Sequence, residues 1–431
     1  MSALMLTQLG NLVYPDRPIT YGIVQPGPDI SPEGIPLIRG KDYSGGKVDT
    51  SELYHVLPSI DKPYARSKVR AGDILLSIVG YLGQVAEVPE SMEGANITQT
   101  TARISVDPAK ACAHYLFQYF QSAAFRDEVR KFEKGSAQPG LNLSDLAKFE
   151  VHLTPRSEQT KIAEILSTVD RAIEQTEALI AKQQRLKTGL MHDLLTRGID
   201  EHGNLRSEQT HKFKESPLGR IPVEWEVKSV ESKLECIIDY RGRTPVKTDS
   251  GIPLITAKNV REGFLCEEPR EFIAVDAYDS WMTRGIPEPG DVMITTEAPM
   301  GNVARVPGYK IALAQRLITL PTKKNELSSD FLFWMLHWSR TLERLELLTS
   351  GSTVVGIKQS VFRKVDFSFP PLDEQSKIAA PLNAERDTAE TNLKHLSKLR
   401  ALKTALMQDL LTGRKRVTNL LASNENNSKP R

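Results

Sequence analysis

The amino-acid sequence predicts an α+β fold in which two related globular domains with mixed β-sheets are each followed by one long helix. The helical segments 158–196 and 374–412 align without a gap, at an offset of 216 residues (158 to 374). Short apolar, β-branched runs precede each helix at nearly the same offset. Solenoid repeats are typically about 20–50 residues long, so this period indicates two duplicated domains. The chain therefore has a pseudo-twofold internal repeat, and its function should need both copies.

Matching landmarks predict matching elements within the two globular domains. The sequence Gly-Ile-Pro-Leu-Ile occurs in both, and each domain has a later apolar run that is typical of a buried strand. A helical pattern and one more strand then lead into each long helix. The paired predictions are strands at 34–38 and 251–255, strands at 74–79 and 292–296, helices at 113–132 and 329–348, and final strands in KFEVHL and KVDFSF.

Each long helix begins with a proline, a candidate N-cap (Ser157 or Asp373) and a glutamate that the helix dipole favours. Pro381 predicts a kink in the second helix, or a start near that residue. Apolar residues at three- and four-residue spacing predict that the two helices pair, because both copies have equal length and placement. The alternative is that each helix packs only on its own domain. The predicted pairing residues are Ile162, Leu166, Val169, Ile173, Ile180, Leu190 and Leu194, with Ile378, Leu382, Leu396, Leu399, Leu406 and Leu410.

The charge of the chain is not the strongly basic one that marks many nucleic-acid binders, since 56 Lys and Arg residues stand against 54 Asp and Glu, a net charge of +2. Cys112, Cys236 and Cys266 lie far apart, which argues against a disulfide framework or a zinc ribbon and indicates a reducing compartment. No signal-peptide pattern and no run of about 18 apolar residues occurs. We therefore expect a soluble cytoplasmic protein without a metal site.

A search for catalytic motifs finds none of the common ones. The P-loop, a strand-borne GxGxxG, HExxH, GxSxG and the Asn-Pro-Pro-aromatic motif of amino-methyltransferases are all absent. Glu128 and Lys131 have nuclease-like spacing, but they lie on a charged helix face without a preceding Pro-Asp strand. The sequence therefore predicts no catalytic residue in this chain.

Polar loops that recur in both halves are the remaining candidates for function. Their Lys, Arg, Asn, Gln, Ser and Tyr side chains can bind phosphates or read base edges, and the alternative for each residue is an ordinary solvated turn. The small residues of loops 135–142 and 351–358 would also let a ligand approach the backbone closely. The candidate DNA-binding residues are Arg39, Lys41, Tyr43, Lys47, Gln99, Ser136, Gln138 and Asn142, with Lys258, Asn259, Arg261, Gln315, Arg316, Ser352, Thr353 and Lys358.

The order of these segments resembles the specificity subunits of Type I DNA restriction-modification systems over nearly the whole chain. The resemblance rests on the PxxEQ-led helix ending in LMHDLLTRG, the linker FKESPLGRIPVEWEV, and the PPLDEQ-led helix ending in LMQDLLTGR. The first domain departs from the pattern by lacking a Ser-Pro-Leu-Gly segment at its start. The resulting organisation is a target recognition domain at 1–156, spacer helix at 157–198, linker at 199–211, second target recognition domain at 212–372, second spacer helix at 373–413, and flexible tail at 414–431.

The resemblance implies that the two long helices form an antiparallel coiled coil that spaces the recognition domains and docks two methyltransferase subunits. A forty-residue helix spans about 60 Å, compared with roughly 34 Å for one turn of DNA. The implied target is double-stranded, asymmetric and bipartite. S-adenosylmethionine, ATP and Mg are expected on partner subunits, including restriction subunits that translocate DNA, and no cofactor is expected on this chain. The alternatives are a coiled-coil adaptor that does not bind DNA and a self-contained DNA-modifying enzyme.

Overall fold

The computed structural model describes residues 5–132, 140–349 and 356–421 and divides into two compact units. Unit 1 comprises Met1–Ala178 and Lys394–Arg431, and unit 2 comprises Leu179–Leu393. Each unit therefore contains one globular domain and a segment of each long helix. No helix in the described ranges combines the length and apolar character needed to cross a membrane.

Unit 1 forms mixed sheets in the part of the chain that is described. The strand orders are β1-β11, β2-β10-β7-β8-β5-β4 and β6-β3-β9. The β3–β9 and β5–β8 pairs are parallel, and the other pairs are antiparallel. The strands are β1 (Met5–Gln8), β2 (Thr20–Tyr21), β3 (Ile35–Ile38), β4 (Tyr43–Ser44), β5 (Gly46–Val48), β6 (Tyr54–Val56), β7 (Ile74–Ser77), β8 (Val85–Glu87), β9 (Asn96–Ile97), β10 (Thr101–Ile104) and β11 (Glu150–Leu153). The helices are α1 (Pro58–Asp61), α2 (Ala113–Phe120), α3 (Ala123–Phe132), α4 (Leu143–Leu146) and the first part of α5 (Arg156–Thr196).

Unit 2 repeats most of this arrangement in its described residues, but its largest sheet has four strands instead of six. The strand orders are β14-β22, β15-β21-β18-β19 and β17-β16-β20, with an additional β12-β13 pair in the segment that leads into the domain. The strands are β12 (Phe213–Lys214), β13 (Ile221–Pro222), β14 (Glu226–Ser229), β15 (Ile238–Asp239), β16 (Ile252–Ile255), β17 (Phe272–Ile273), β18 (Val292–Thr295), β19 (Val303–Arg305), β20 (Ala312–Leu313), β21 (Leu317–Leu320) and β22 (Asp366–Phe369). The helices are α6 (Tyr278–Trp281), α7 (Ser329–His337), α8 (Ser339–Leu347), α9 (Gln359–Phe362) and α10 (Leu372–Leu411), whose last part belongs to unit 1.

The predicted strand pairs are confirmed. The Ile-Pro-Leu-Ile sequences form β3 and β16, and every residue of β7 and β18 is buried, as their continuous apolar runs indicate. The final strands β11 and β22 pair antiparallel with β1 and β14. The first domain therefore has an equivalent first strand even though it lacks the Ser-Pro-Leu-Gly segment.

The two predicted mid-domain helices are each interrupted. The segment 113–132 forms α2 and α3, and Ser122 Oγ accepts a hydrogen bond of 3.2 Å from Phe125 N where the second helix begins. The segment 329–348 forms α7 and α8, because Trp338 adopts an extended conformation with ψ of 132°. The prediction of single continuous helices was wrong at these two positions.

Within unit 1, the segments of α5 and α10 run antiparallel and pack on the globular domain. Lys403 Nζ lies 2.7 Å from Asp170 Oδ1, and Arg400 Nη2 lies 2.7 Å from Glu177 Oε1. The residue number in α10 falls from 403 to 400 as the number of its partner in α5 rises from 170 to 177, so the two helices run antiparallel. One hydrophobic core cluster of unit 1 contains Ile162, Leu166 and Leu410 together with residues of the globular domain, and Leu406 packs against it. Leu396 is also buried. The remaining predicted pairing residues of this unit, Val169, Ile173 and Leu399, are half-buried.

Within unit 2, the other segments of the two helices are also antiparallel. Asn392 Nδ2 donates a 2.9 Å hydrogen bond to Gln183 Oε1, and Ile199 N donates a 3.0 Å bond to Glu374 Oε1. Leu194, Ile378 and Leu382 share one core cluster with the globular domain, Leu190 packs against it, and Ile180 is half-buried. In both units the two helices therefore contact each other and a globular domain, so the alternative that each helix packs only on its own domain was wrong. Helix α10 is continuous through Pro381, so a start near that residue was wrong.

The Glu-Gln pair at the start of each long helix has a structural role that its position in the first turn did not indicate. Gln159 Oε1 accepts a 2.9 Å bond from Cys112 N, and Gln375 Oε1 accepts a 2.8 Å bond from Ser328 N. Both glutamines are buried, so each one ties the start of a long helix to the globular domain.

The helices begin at Arg156 and Leu372, one residue earlier than predicted, so Ser157 and Asp373 lie inside them and are not N-caps.

Candidate nucleic-acid interface

In unit 1, the parallel pairing of β3 and β9 brings two predicted loops to one edge of a sheet. Leu37 pairs with Asn96, and Ile38 pairs with Ile97. Because parallel strands end at the same edge, the loops that begin at residues 39 and 98 leave the sheet side by side. Lys41 and Gln99 lie on these loops with exposed side chains.

Two further segments join this edge in unit 1. Ile78 N donates a 2.8 Å bond to Thr100 O, and Leu141 N donates a 2.9 Å bond to Ile78 O. The loop after β7 therefore lies between residues 98–100 and residues 140–142, and the exposed Asn142 is part of the same surface. We call residues 39–41, 79–83, 98–100 and 140–142 the unit 1 loop surface.

Unit 2 builds an equivalent surface with the same backbone hydrogen bonds. The parallel register of β16 and β20 places the loops after Ile255 and Leu313 together. Thr296 N donates a 2.9 Å bond to Arg316 O, and Ile357 N donates a 3.0 Å bond to Thr296 O. We call residues 256–258, 297–301, 314–316 and 356–358 the unit 2 loop surface.

The unit 2 loop surface gathers four predicted DNA-binding residues. Lys258, Arg316 and Lys358 are exposed, and Gln315 is half-buried with its Nε2 lying 3.4 Å from Thr244 Oγ1. These four predicted residues therefore contribute three cations and one amide, the side-chain types that contact phosphates and base edges.

A cleft of about 190 Å³ lies at this surface and adds residues that sequence reasoning missed. Arg243, Thr244 and Lys247 line it beside Lys258, Gln315 and Arg316. The missed residues belong to the segment Arg-Gly-Arg-Thr-Pro-Val-Lys, which comes before the β16 strand, whereas the predicted contacts of the second half all come after it. Three cations in this seven-residue run, 241–247, were the available signal.

Two residues that line the cleft have unusual backbone conformations. Ala298 has φ of 45° and Arg316 has φ of 72°, and among the described residues they are the non-glycine positions in the left-handed region. This conformation costs roughly 1–2 kcal/mol for a residue with a Cβ atom. Such strain is concentrated at ligand sites in proteins, so its occurrence here supports a binding role for the cleft.

Two predicted contacts are corrected because their side chains are internal. Tyr43 is 1% exposed, its hydroxyl lies 3.2 Å from Thr101 Oγ1, and burial raises the pKa of its phenol above the usual range. Asn259 is 3% exposed, and its Oδ1 accepts a 3.0 Å bond from Thr256 N. Both side chains hold loops in place from inside and are not available to a duplex.

Two other predicted residues, Arg39 and Lys47, form ion pairs with carboxylates of this chain, and a third, Arg261, lies outside the loop surfaces. Arg39 Nε and Nη2 donate to the Asp42 carboxylate at 2.8 and 2.9 Å, and this pairing raises the pKa of the guanidinium. Lys47 Nζ lies 2.7 Å from Glu174 Oε2 on α5. Arg261 is exposed in a turn after β16 but is not part of the unit 2 loop surface. The candidates Ser136, Gln138, Ser352 and Thr353 lie outside the described residues.

No group of three metal-ligating side chains occurs among the residues for which the structure gives positions. Cys112 is buried, Cys236 is exposed and Cys266 is intermediate, and all three are free thiols.

Comparison with known proteins gives one family. The profile described as Type I restriction modification DNA specificity domain matches residues 31–183 and 222–400, which together cover most of the chain. The two matched segments correspond to the two halves of the internal repeat.

Individual relatives agree with this match. The MjaX Type I restriction enzyme specificity subunit, a provisional assignment in Methanocaldococcus jannaschii, is 27% identical over 401 residues, which cover 89% of this chain and 88% of the relative. The EcoBI specificity subunit of Escherichia coli is 34% identical over 189 residues, which cover 43% of this chain and 40% of the relative. The crystal structure of the Type I restriction-modification S subunit from M. genitalium has a similar fold, with a TM-score of 0.61 and 16% identity over 95% of this chain and 97% of that chain.

Proposed function

Because this chain belongs to the Type I restriction-modification DNA specificity family, we propose that it recognises an asymmetric, bipartite DNA target, with one half-site bound by each unit. The observation that carries the proposal is the loop surface that occurs in both units, built by the same backbone hydrogen bonds but with different side chains. Equal scaffolds explain why two half-sites are read. Different side chains explain why those half-sites should differ in sequence.

The electrostatics of the unit 2 loop surface suit contact with a duplex even though the whole chain is nearly neutral. Lys258, Arg316 and Lys358 place positive charge on this surface, and Arg243 and Lys247 line its cleft, where Glu297 and Glu271 offset part of that charge. Phosphate contacts of this kind supply affinity, whereas base-edge contacts supply sequence preference. Local charge at the surface, and not the net charge of +2, is therefore the relevant quantity.

We further propose that the long helices dock two methyltransferase subunits, with restriction subunits joining in complexes that also cleave DNA. The exposed faces of α5 and α10 are available for such contacts, since their apolar stripes are used within each unit. On this proposal the chain itself is not catalytic. S-adenosylmethionine, ATP and Mg would be held by the partner subunits, which would flip out and methylate the target base.

The proposal is tested by mapping adenine methylation in DNA from cells that express this chain with its neighbouring methyltransferase subunit. A split, asymmetric motif that is methylated only when this chain is present is the expected result. Absence of any such motif, with both proteins shown to be folded, would contradict the proposal. Methylation by the purified chain alone would instead show a self-contained enzyme, and salt-insensitive behaviour without affinity for any duplex would show an adaptor.

A further inference from the structure

Three charged side chains at the unit 2 loop surface form a set that the fold does not require. Arg241 Nη2 donates to Glu297 Oε1, and Arg316 Nε lies 4.0 Å from Glu297 Oε2. The Arg241, Glu297 and Arg316 side chains are 39%, 26% and 54% exposed. Ion pairs at such exposure contribute little to stability, so the set needs another explanation.

The internal repeat provides a direct comparison for this set. The positions equivalent to Glu297 and Arg316 are identified by registers that the two units share, namely the bridges Val79–Gly140 and Glu297–Gly356 and the hydrogen bonds between the loops. The position equivalent to Arg241 lies two residues beyond the matching strand pairs β2–β10 and β15–β21. None of the three unit 1 residues is charged. The positions of Arg241, Glu297 and Arg316 are occupied in unit 1 by Ile23, Val79 and Thr100, respectively.

The backbone holds Glu297 and Arg241 in fixed places. Glu297 forms a bridge with Gly356, and a Cβ atom at Gly356 would lie 2.5 Å from Glu297 Cγ, so the two segments are in close contact. Arg241 N donates a 2.8 Å bond to Asp239 Oδ1, and Arg241 O accepts a 2.9 Å bond from Arg284 Nη1. The carboxylate of Glu297 is therefore a pre-positioned acceptor that one arginine already neutralises.

Arg316 differs from Arg241 in that its ion pair with Glu297 is long, at 4.0 Å, and its side chain is more exposed, which leaves the guanidinium able to act on a ligand. It forms no hydrogen bond with any other side chain that the structure describes, and its Nε is turned towards Glu297. Its left-handed backbone and its position in the cleft present the guanidinium at the loop surface. An arginine donating to O6 and N7 of guanine is the commonest specific contact in the major groove.

We propose that Arg316 reads a guanine in the half-site bound by unit 2, with Glu297 as a positioning residue and Arg241 as the counter-charge that keeps Glu297 in place. The inference rests on the proposed function and names one G·C base pair that unit 2 requires. Because unit 1 has Ile23, Val79 and Thr100 instead, its half-site is not read in this way.

The first test uses the wild-type chain in complex with its methyltransferase subunits and duplexes with one altered guanine at a time. 7-Deazaguanine lacks the N7 acceptor, whereas hypoxanthine keeps N7 and O6 and lacks only the minor-groove amino group. At one guanine of one half-site, we expect 7-deazaguanine to weaken binding by roughly 5-fold or more, and a different base pair to weaken it roughly 5- to 150-fold. Hypoxanthine should have little effect there. Absence of any guanine with this pattern would overturn the proposal without depending on the folding of a variant.

The second test assigns the contact to its residues. Arg316→Ala should abolish the sensitivity to 7-deazaguanine at that guanine. Glu297→Gln should weaken the preference for the same base pair, while the sequence preference at the other half-site should stay unchanged. Thr100→Ala, at the matched position of unit 1, should retain the sensitivity. Undiminished sensitivity in Arg316→Ala would refute the assignment. A wild-type complex that methylates no split target would instead refute the proposed function, so the two failures are distinguishable.

Discussion

Replacing Glu374 with alanine should destabilise unit 2 strongly, because four donor groups converge on this one buried carboxylate. Arg206 donates through both Nη atoms, Ile199 N lies 3.0 Å from Oε1, and Trp225 Nε1 lies 3.2 Å from the same atom. The Arg206 and Glu374 side chains are only 9% and 6% exposed. Truncation would leave the Arg206 charge buried without its partner.

The expected loss in the free energy of unfolding is about 3–5 kcal/mol, the range for removing one member of a buried ion pair. For a unit of this size that corresponds to a fall in Tm of roughly 6–20 °C. All four tryptophans of the chain lie in unit 2, so tryptophan fluorescence during urea unfolding reports on this unit alone. The predicted change is therefore measured without interference from unit 1.

Two control variants separate the ion pair from general effects of truncation. Glu374→Ala combined with Arg206→Ala should lose less than the sum of the single variants, because no charge is left uncompensated. Glu158→Ala removes the equivalent carboxylate of unit 1, whose partner Arg416 has a side chain that is 30% exposed, so its effect should be smaller and should not move the fluorescence transition. A Glu374→Ala chain within about 1 kcal/mol of wild type would refute the reasoning.

Three further predictions concern pH, helix packing and DNA contact. Burial, followed by the charge of Lys187, lowers the pKa of His337 from 6.5 to about 4. The unfolded chain therefore takes up the proton first as pH falls from 6.5 towards 4, and the free energy of unfolding of unit 2 should decrease by up to about 3 kcal/mol over that range. His337→Phe should flatten this part of the plot of stability against pH. Leu396→Glu or Ile173→Glu should destabilise unit 1 by about 2–5 kcal/mol and weaken capture of the methyltransferase subunit, and unchanged capture would count against the helix-docking proposal. Lys358→Ala should affect one half-site only and lower the slope of log affinity against log salt by about 1, whereas equal loss at both half-sites would contradict its placement in unit 2.

The elements that the sequence predicted well are those fixed by local chemistry. The continuous apolar runs became β7 and β18 because a strand buried on both faces needs no polar alternation. The ends of the long helices were placed within two residues, since Pro155 and Pro371 precede their starts. Gly198, with φ of 66°, follows the end of α5 in the left-handed conformation that terminates helices.

Interactions between residues far apart in sequence could not be predicted from local spacing. Glu374 and Arg206 are 168 residues apart, and Glu158 and Arg416 are 258 residues apart, so the first-turn glutamates were interpreted only through the helix dipole. Tyr43 was misplaced for a related reason, because loop composition does not determine which side chain of a short strand faces inward.

The candidate site was partly predictable for a topological reason. Lys41 and Lys258 follow strands that could be recognised locally, whereas their proximity to Gln99 and Gln315 follows from the parallel pairs β3–β9 and β16–β20. The cations of residues 241–247 were missed because they precede β16 along the chain and join its loop surface only through the fold.

Divergence of the two loop surfaces is compatible with a common scaffold because backbone hydrogen bonds join one loop to the next within each surface. The bond from Ile78 N to Thr100 O is 2.8 Å long and the bond from Thr296 N to Arg316 O is 2.9 Å long, although one acceptor belongs to a neutral residue and the other to a cation. Side chains at these positions can therefore change without loss of the scaffold that presents them. A duplicated recognition domain built in this way can keep its fold in both copies while the two copies select different base pairs. We therefore expect an asymmetric target.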